Sequence, residues 1–385
     1  MKEGIRIGID TRALSESKRS GVEEYTENLL DSLFQIDQKN RYILFYNSFK
    51  KNLPAPLIHF EKYPNVFLRR FRLPNKLLNF MLWYLKFPKI DKLLKTKILY
   101  SPNLIFTAIS SRCRHLLTIH DLSFERHPEF FNRYRRFWHW LVNPRKLTKR
   151  AFRIITVSCS TKEDLINLYH CPPSKIKRVY PGIAAKLKPA DTRSSEFLKI
   201  ARKYQLPQKY ILALSTLEPR KNIDSIIIAY NHLRQTRKIT HKLVIAGGQG
   251  WLFEKTKDLI KNSRRRQDII LVGEVENKDR QYIYSAADLF VYPSFYEGFG
   301  FPPVEALACG TTVICSHISS LPEAVGDSAL LVNPYNRNEL AWAMERGLKD
   351  RKLKKILKIS GRKQAKKFNW NKTARLFQKI LESAL

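Results

Sequence analysis

Apolar residues come in short, nearly unbroken runs through the first half of the chain, at residues 5–10, 41–46, 98–101, 115–120 and 154–158. Longer, helix-like segments such as 21–35 and 133–148 lie between them. That rhythm predicts strands of a parallel sheet joined by crossover helices. A second series follows the Pro-containing stretch 180–189, with apolar runs at 210–214, 242–246, 269–272, 289–292, 312–315 and 329–332 and helical segments at 222–233 and 303–308. Two successive arrays predict an α/β protein of two doubly wound domains whose parallel sheets face each other across a cleft. From residue 338 onward the chain reads as consecutive helices rich in Lys and Leu, interrupted near Gly361 and again around Asn369 and Trp370.

Length agrees with two domains, because 385 residues exceed the ~250–300 at which single cores stop growing. With 44% hydrophobic and 12% aromatic residues, disorder is excluded. The cysteines, Cys113, Cys159, Cys171, Cys309 and Cys315, are scattered and form no CxxC pair, which argues against a zinc site or a disulfide scaffold and for a reducing compartment. The amino terminus is charged where an export signal would be apolar, and the most apolar run, 77–85, falls far below the ~20 residues a bilayer requires, so a cytoplasmic location is expected.

Charge changes the picture more than any other property. The formal net charge is +36, and residues 41–120 carry 15 Lys and Arg against Glu61 and Asp91, a local net of +13. Cations there interleave with aromatics, as in Arg69-Arg70-Phe71-Arg72 and around Trp83 and Tyr84. Such a surface attracts anionic lipid headgroups, phosphorylated acceptors or nucleic acid, and a merely solvated basic face is the plainer alternative.

In open parallel sheets ligands bind beyond the carboxyl ends of strands, so four loops carry the candidate chemistry. The first runs from Asp10-Thr11-Arg12 to Ser20-Gly21, with Tyr25 just beyond; a helix starting at Gly21 can hold an anion on free N–H groups, while Glu23 and Glu24 equally suit simple helix stability. The second ends a strand at His120-Asp121, where an imidazole can bond a substrate hydroxyl or take a proton, or serve structure alone. The third, 215–222, contains Arg220 and Lys221. A departing nucleoside diphosphate needs positive charge, and no DxD triplet occurs to hold a metal, so side-chain cations are the economical substitute. The fourth, 292–310, carries Glu297 before a helix and Glu305 within it, suited to a sugar and to ribose hydroxyls respectively, or to a structural network; a buried Glu305 needs a partner. The glycine-rich segment 245–251 is not GxGxxG, so it reads as a tight turn near a donor, and no nicotinamide or flavin is expected.

In this order and spacing, the chain resembles the GT-B glycosyltransferases of family 4, a retaining group that includes bacterial mannosyl- and glucosyltransferases. The resemblance spans almost the full length and is carried by IGIDTRALSESKRSGVEEYTENLL, TIHDLSFERHP, ITVSCSTKEDL, LSTLEPRKNID and YPSFYEGFGFPPVEALACGTTVICSHISSLPEAVGDSALLVNP. It implies a Rossmann-like acceptor-binding domain at 1–185, a Rossmann-like nucleotide-sugar domain at 186–365, and a terminal helix at 366–385 crossing back to the first. It further implies that Arg220 and Lys221 hold the donor diphosphate, Glu305 the ribose, and Glu297 with the backbone of Gly298, Phe299, Gly300 and Phe301 the transferred sugar. Glu274 and Val275 would lie near the base and His120 near the sugar, with Arg12, Gly21 and Tyr25 by the acceptor or diphosphate. One departure is Glu23, where many relatives carry a second glycine; it weighs against backbone cradling by that loop.

The implied reaction moves a hexose, mannose favoured, with retention, from a nucleotide-diphosphate sugar, GDP-mannose ahead of UDP-sugars, to a glycan or lipid-linked acceptor in cell-surface polysaccharide or glycolipid synthesis. Neither cofactor nor metal is expected, and the route is either same-face displacement or a covalent intermediate. An anionic membrane surface, the inner face of the plasma membrane, is the expected further partner. A sugar phosphorylase or nucleotide-sugar epimerase on the same fold is the alternative. Nucleic-acid binding, suggested by charge alone, lacks any zinc-finger, OB or RRM signature and is not expected.

Overall fold

The computed structural model describes residues 4–15, 21–50, 52–237, 239–248, 250–251 and 253–384. Most of the loop before Gly21, residues 16–20, and Gln249 of the glycine-rich turn therefore lie outside the described residues. The chain forms two compact units, Met1–Gly182 with Asn369–Leu385, and Ile183–Phe368.

Unit one is built on seven parallel strands, β1 (Arg6–Asp10), β2 (Arg41–Asn47), β3 (Val66–Phe71), β4 (Ile98–Ser101), β5 (Arg114–Ile119), β6 (Arg153–Thr156) and β7 (Ile176–Arg178), in the order β3-β2-β1-β4-β5-β6-β7. Unit two has six, β8 (Tyr210–Leu214), β9 (Lys242–Ala246), β10 (Ile269–Gly273), β11 (Leu289–Tyr292), β12 (Val313–Ser316) and β13 (Leu330–Val332), in the order β10-β9-β8-β11-β12-β13. Helices cover both faces, so the central strands are buried along nearly their whole length, as their apolar runs require. In each sheet the winding direction reverses once, between β1 and β4 and between β8 and β11. Those two points open crevices at the carboxyl edge.

Three details depart from the sequence expectation. The segment 133–148 is two helices, Arg133–Val142 and Pro144–Arg150, because Asn143 turns left-handed at φ 53° and Pro144 cannot continue the first helix. Gly361 interrupts nothing: it lies inside the helix Arg351–Ala365, whose start is capped by Asp350. Its missing side chain matters for packing, since a Cβ there would stand 2.7 Å from Leu307 Cδ2. Strands β3 and β7, at the two edges of the first sheet, were not expected.

The last helix, Trp370–Glu382, is capped by the Asn369 side chain and belongs to unit one. It lies on the helix Gly21–Ile36, with Trp370 edge-on to Tyr25 and Phe377 4.5 Å from the Tyr100 ring.

Candidate active site

Strand β8 ends at Leu214, and after one tight turn at Pro219–Lys221 the left-handed Asn222 starts the helix Ile223–Thr236. The Asn222 amide donates to the carbonyls of Pro293 (3.0 Å) and Pro334 (2.8 Å), which ties this loop to the one following the neighbouring strand β11. The two loops thus meet at the crevice between β8 and β11.

Sequence alone placed Arg220, Lys221 and Glu297 at strand ends; the fold brings them into one buried cluster. Lys221 Nζ donates to Glu297 Oε1 (2.6 Å) and to the Tyr292 hydroxyl (2.8 Å). Arg220 reaches Glu297 Oε2 (3.0 Å), Glu218 Oε1 (2.7 Å) and the Tyr296 carbonyl (2.7 Å). Tyr292 (2.8 Å) and Ser294 (2.6 Å) complete the donors to Glu297 Oε1, and the Ser319 and Ser320 hydroxyls fix the Glu297 backbone. Every oxygen of this carboxylate is therefore engaged.

Burial alone would raise the Glu297 pKa, but the adjacent Arg220 and Lys221 charges and the hydrogen bonds outweigh it and hold the carboxyl at about 2. Desolvation, and next the Arg220 charge, lower the pKa of Lys221. Burial and the Glu297 charge keep the Tyr292 phenol protonated, so it can only donate to that carboxylate. Of the cluster, Arg220 has the most accessible side chain, 15% exposed against 9% for Lys221 and 8% for Glu297. An anion approaching from solvent meets Arg220 first.

Glu305 occupies a separate network. It is buried in the helix Phe301–Ala308 and finds its partners in Tyr284, 2.9 Å away, and Arg280, 3.5 Å away. Gly300 precedes that helix with a left-handed φ of 92°. Pro302 and Pro303 have no N–H, so within the first turn only Phe301 and Val304 can donate to a ligand. On the other side of β8, Gly247 packs so closely that a Cβ would lie 1.7 Å from the Ser215 carbonyl, and its N–H bonds Gly273 O at 2.6 Å. That interlock holds the exposed Glu274 and the buried Val275 just beyond β10.

In unit one, His120 follows β5 and its Nε2 donates to the Pro102 carbonyl (2.8 Å), which leaves Nδ1 as an acceptor. Desolvation lowers its pKa, so the ring is neutral at physiological pH. Tyr25 packs edge-on against it at 4.8 Å, with a phenol pushed up to about 12 by burial. Arg12 is buried beside the crevice between β1 and β4, forked onto Asp10 (2.6 and 2.9 Å) and bonded to the Phe106 carbonyl (2.7 Å). Gly21 is the exposed first residue of its helix, where a side chain would meet nothing within 4 Å. Sequence reasoning missed Glu218, Tyr292 and Ser294 as partners of the first cluster and Tyr284 and Arg280 as partners of Glu305.

Two family profiles divide the chain between them: that of glycosyltransferase family 4 matches residues 19–187, and that of glycosyl transferases group 1 matches residues 196–364. The O-antigen chain mannosyltransferase B of Escherichia coli is 35% identical over 263 residues, 67% of each chain. The chain belongs to glycosyltransferase family 4. The serotype-specific mannosyltransferase WbdA of Escherichia coli is 30% identical over 254 residues, 64% of this glycosyltransferase, which spans only 31% of that longer protein. Anabaena HepE, solved in complex with UDP and glucose, superposes with a TM-score of 0.75 at 17% identity, covering 98% of this chain and 100% of that one. The two parallel-sheet units are accordingly the Rossmann-like domains of a GT-B glycosyltransferase.

Proposed function

We propose that this glycosyltransferase moves mannose, with retention and without a metal, from GDP-mannose to a glycan or lipid-linked saccharide in the synthesis of a surface polysaccharide. The observation that carries the reading is the Arg220–Lys221–Glu297 cluster at the carboxyl edge between β8 and β11. The mannosyltransferase relatives support the sugar.

In this reading Arg220 and Lys221 meet the donor diphosphate. As the C1–O bond breaks, its electron pair leaves with the diphosphate, and the two cations stabilise the charge that develops there. The acceptor hydroxyl oxygen bonds C1 from the same face and passes its proton to the departing phosphate oxygen. Same-face displacement is favoured over a covalent intermediate on Glu297, because that carboxylate has both oxygens occupied and a pKa near 2. Glu297 then acts as a positioning residue that aims the cations, Glu305 receives the ribose hydroxyls, and His120 presents Nδ1 as an acceptor to the sugar. No cofactor takes part.

In the same reading the acceptor is met at an anionic membrane surface, the inner face of the plasma membrane. Among the described residues no helix is long and apolar enough to cross a membrane. The helix Arg133–Val142 nonetheless exposes Tyr134, Phe137 and Trp140 among Arg133, Arg135 and Arg136, the composition of an interfacial helix. A thermal-shift screen of GDP, UDP, ADP and their sugars, followed by a product assay with the stabilising sugar nucleotide, tests the donor and the reaction. Stabilisation by GDP and GDP-mannose, with sugar transferred only when acceptor is present, is expected. A shift confined to UDP-sugars would replace the donor, and a changed donor without acceptor would replace transfer by epimerisation.

A further inference from the structure

Away from the carboxyl edges, positive charge gathers at the amino edge of the first sheet. The loop before β5 (Ser111, Arg112), the first residue of β5 (Arg114), the end of the helix Pro144–Arg150, the start of β6 (Arg153) and the turn before β7 (Ser174, Lys175) surround an open concavity of about 630 Å³. This falls in the ~300–1,000 Å³ range of small-molecule sites. Five of its lining residues, Arg112, Arg114, Arg150, Arg153 and Lys175, are cationic, and no lining residue is acidic.

None of the five forms an ion pair among the described residues, although ion pairs are formed elsewhere on the same unit, as by Arg126 with Asp164. Two of the arginines are held in place, since Arg114 and Arg153 both lie against the Phe152 ring, at 5.2 and 4.7 Å. Lys175 is tethered to the Lys149 carbonyl at 2.6 Å. The Arg153 Nε is buried and has no hydrogen-bond partner among the described residues. The charges come from three separate stretches of chain, 112–114, 150–153 and 175, so the fold rather than a single helix face gathers them. Like charges gathered around one concavity are a binding arrangement for an oxyanion, and guanidinium forks match phosphate oxygens in particular.

The concavity is remote from the proposed chemistry of the same unit. Arg114 opens β5 and His120 follows its end, so the two are separated by about 20 Å of extended chain. We propose that this concavity is a second anion site, apart from the donor and acceptor ends of the sheets, that takes a ligand carrying two or more phosphate groups. Phosphorylated lipid headgroups and soluble polyphosphates share that chemistry.

The test uses the full chain at physiological ionic strength and titrates it calorimetrically with inorganic tripolyphosphate. The variant Arg112→Gln/Arg150→Gln removes two exposed guanidinium groups and spares the half-buried Arg114 and Arg153, and Lys175→Ala is a second, independent variant. Arg351→Gln/Lys355→Gln removes the same charge from the helix Arg351–Ala365, and melting curves verify that all fold. Any binding at the donor site is common to all and drops out of the comparison. The expected result is at least an about tenfold loss of affinity in both pocket variants and little change in the control. Flotation with vesicles of phosphatidylcholine containing phosphatidylglycerol separates the sources: a parallel loss in the pocket variants assigns a lipid headgroup, and vesicle binding unaltered beside lost tripolyphosphate binding assigns a soluble ligand. Equal weakening in the control variant, or no weakening in either pocket variant, overturns the site in favour of a solvated basic face.

Discussion

Replacing Lys221 by Ala separates the structural and chemical duties of the buried cluster. In the native arrangement Glu297 Oε1 accepts from Lys221, Tyr292 and Ser294, and Oε2 from Arg220. Without the lysine the carboxylate still keeps three donors, one of them charged. The stability cost is therefore that of one charge-assisted hydrogen bond, about 1.5–3 kcal/mol, and falls short of the ~3–5 kcal/mol of a buried charge left alone. Turnover should suffer more, because a cation facing the departing diphosphate is worth ~3–4 kcal/mol in the transition state, a loss of about 10²–10³ in kcat. Ser294→Ala is the matched control, since it removes a 2.6 Å donor to the same oxygen but no charge. Single-turnover transfer is measured for both variants at saturating donor, well below their melting temperatures. Normal turnover in Lys221→Ala, or an equal slowing in Ser294→Ala, would refute the assignment of leaving-group stabilisation to that cation.

Three further outcomes are expected. Glu297 titrates at about 2 in the folded protein, below the ordinary ~4.3 of a glutamate, so its stabilisation is fully present above the unfolded value and is lost as pH falls from there toward 2. Urea unfolding of the wild type and Glu297→Gln should show their difference shrinking by roughly 3 kcal/mol across that window, and a constant difference would contradict an ionised, paired carboxylate. Gly361→Ala should destabilise by about 1–3 kcal/mol through overpacking against Leu307, despite alanine's better helix propensity; a raised melting temperature would show that the helix has room. Phe137→Ala/Trp140→Ala should weaken flotation with anionic vesicles at least about tenfold, and binding of the wild type should fall with salt; unchanged flotation removes that helix as the docking element.

The parts of the fold legible from sequence are those in which burial is two-sided. Strands such as β4, β8 and β11 are covered on both faces, so their sequences are continuously apolar and their limits could be read directly. Edge strands lack that cover: β3 alternates in burial and carries Arg69 and Arg70, so its pattern merges with the basic run around it, and β7 is only three residues long with two exposed. Site residues were legible where they follow a strand end, as Arg220, Lys221, Glu297 and His120 do. Their pairings were not, because the contact of Lys221 with Glu297 depends on β8 and β11 being neighbours, a fact of topology. Tyr284, Tyr292 and Arg280 escaped notice for a related reason, since within apolar or helical segments nothing marks a hydroxyl or guanidinium as the partner of a distant carboxylate. Arg12 shows the converse, a residue well placed by sequence whose guanidinium is already forked onto Asp10.

The return of the last helix to the first unit sets an order on biosynthesis. Gly182 lies so close to Trp370 that a Cβ would stand 2.3 Å from its backbone nitrogen, and Ile183 N–H bonds Phe368 O at 3.3 Å, so the chain leaves and re-enters at one spot. On the ribosome the earliest-made unit must wait for its closing helix until the whole intervening unit has emerged, on the order of 10–40 s at ~5–20 residues per second. Throughout that interval Tyr25 and Tyr100 lack the Trp370 and Phe377 rings that later pack on them. Unit two, by contrast, begins and ends side by side and can close as soon as residue 368 is free.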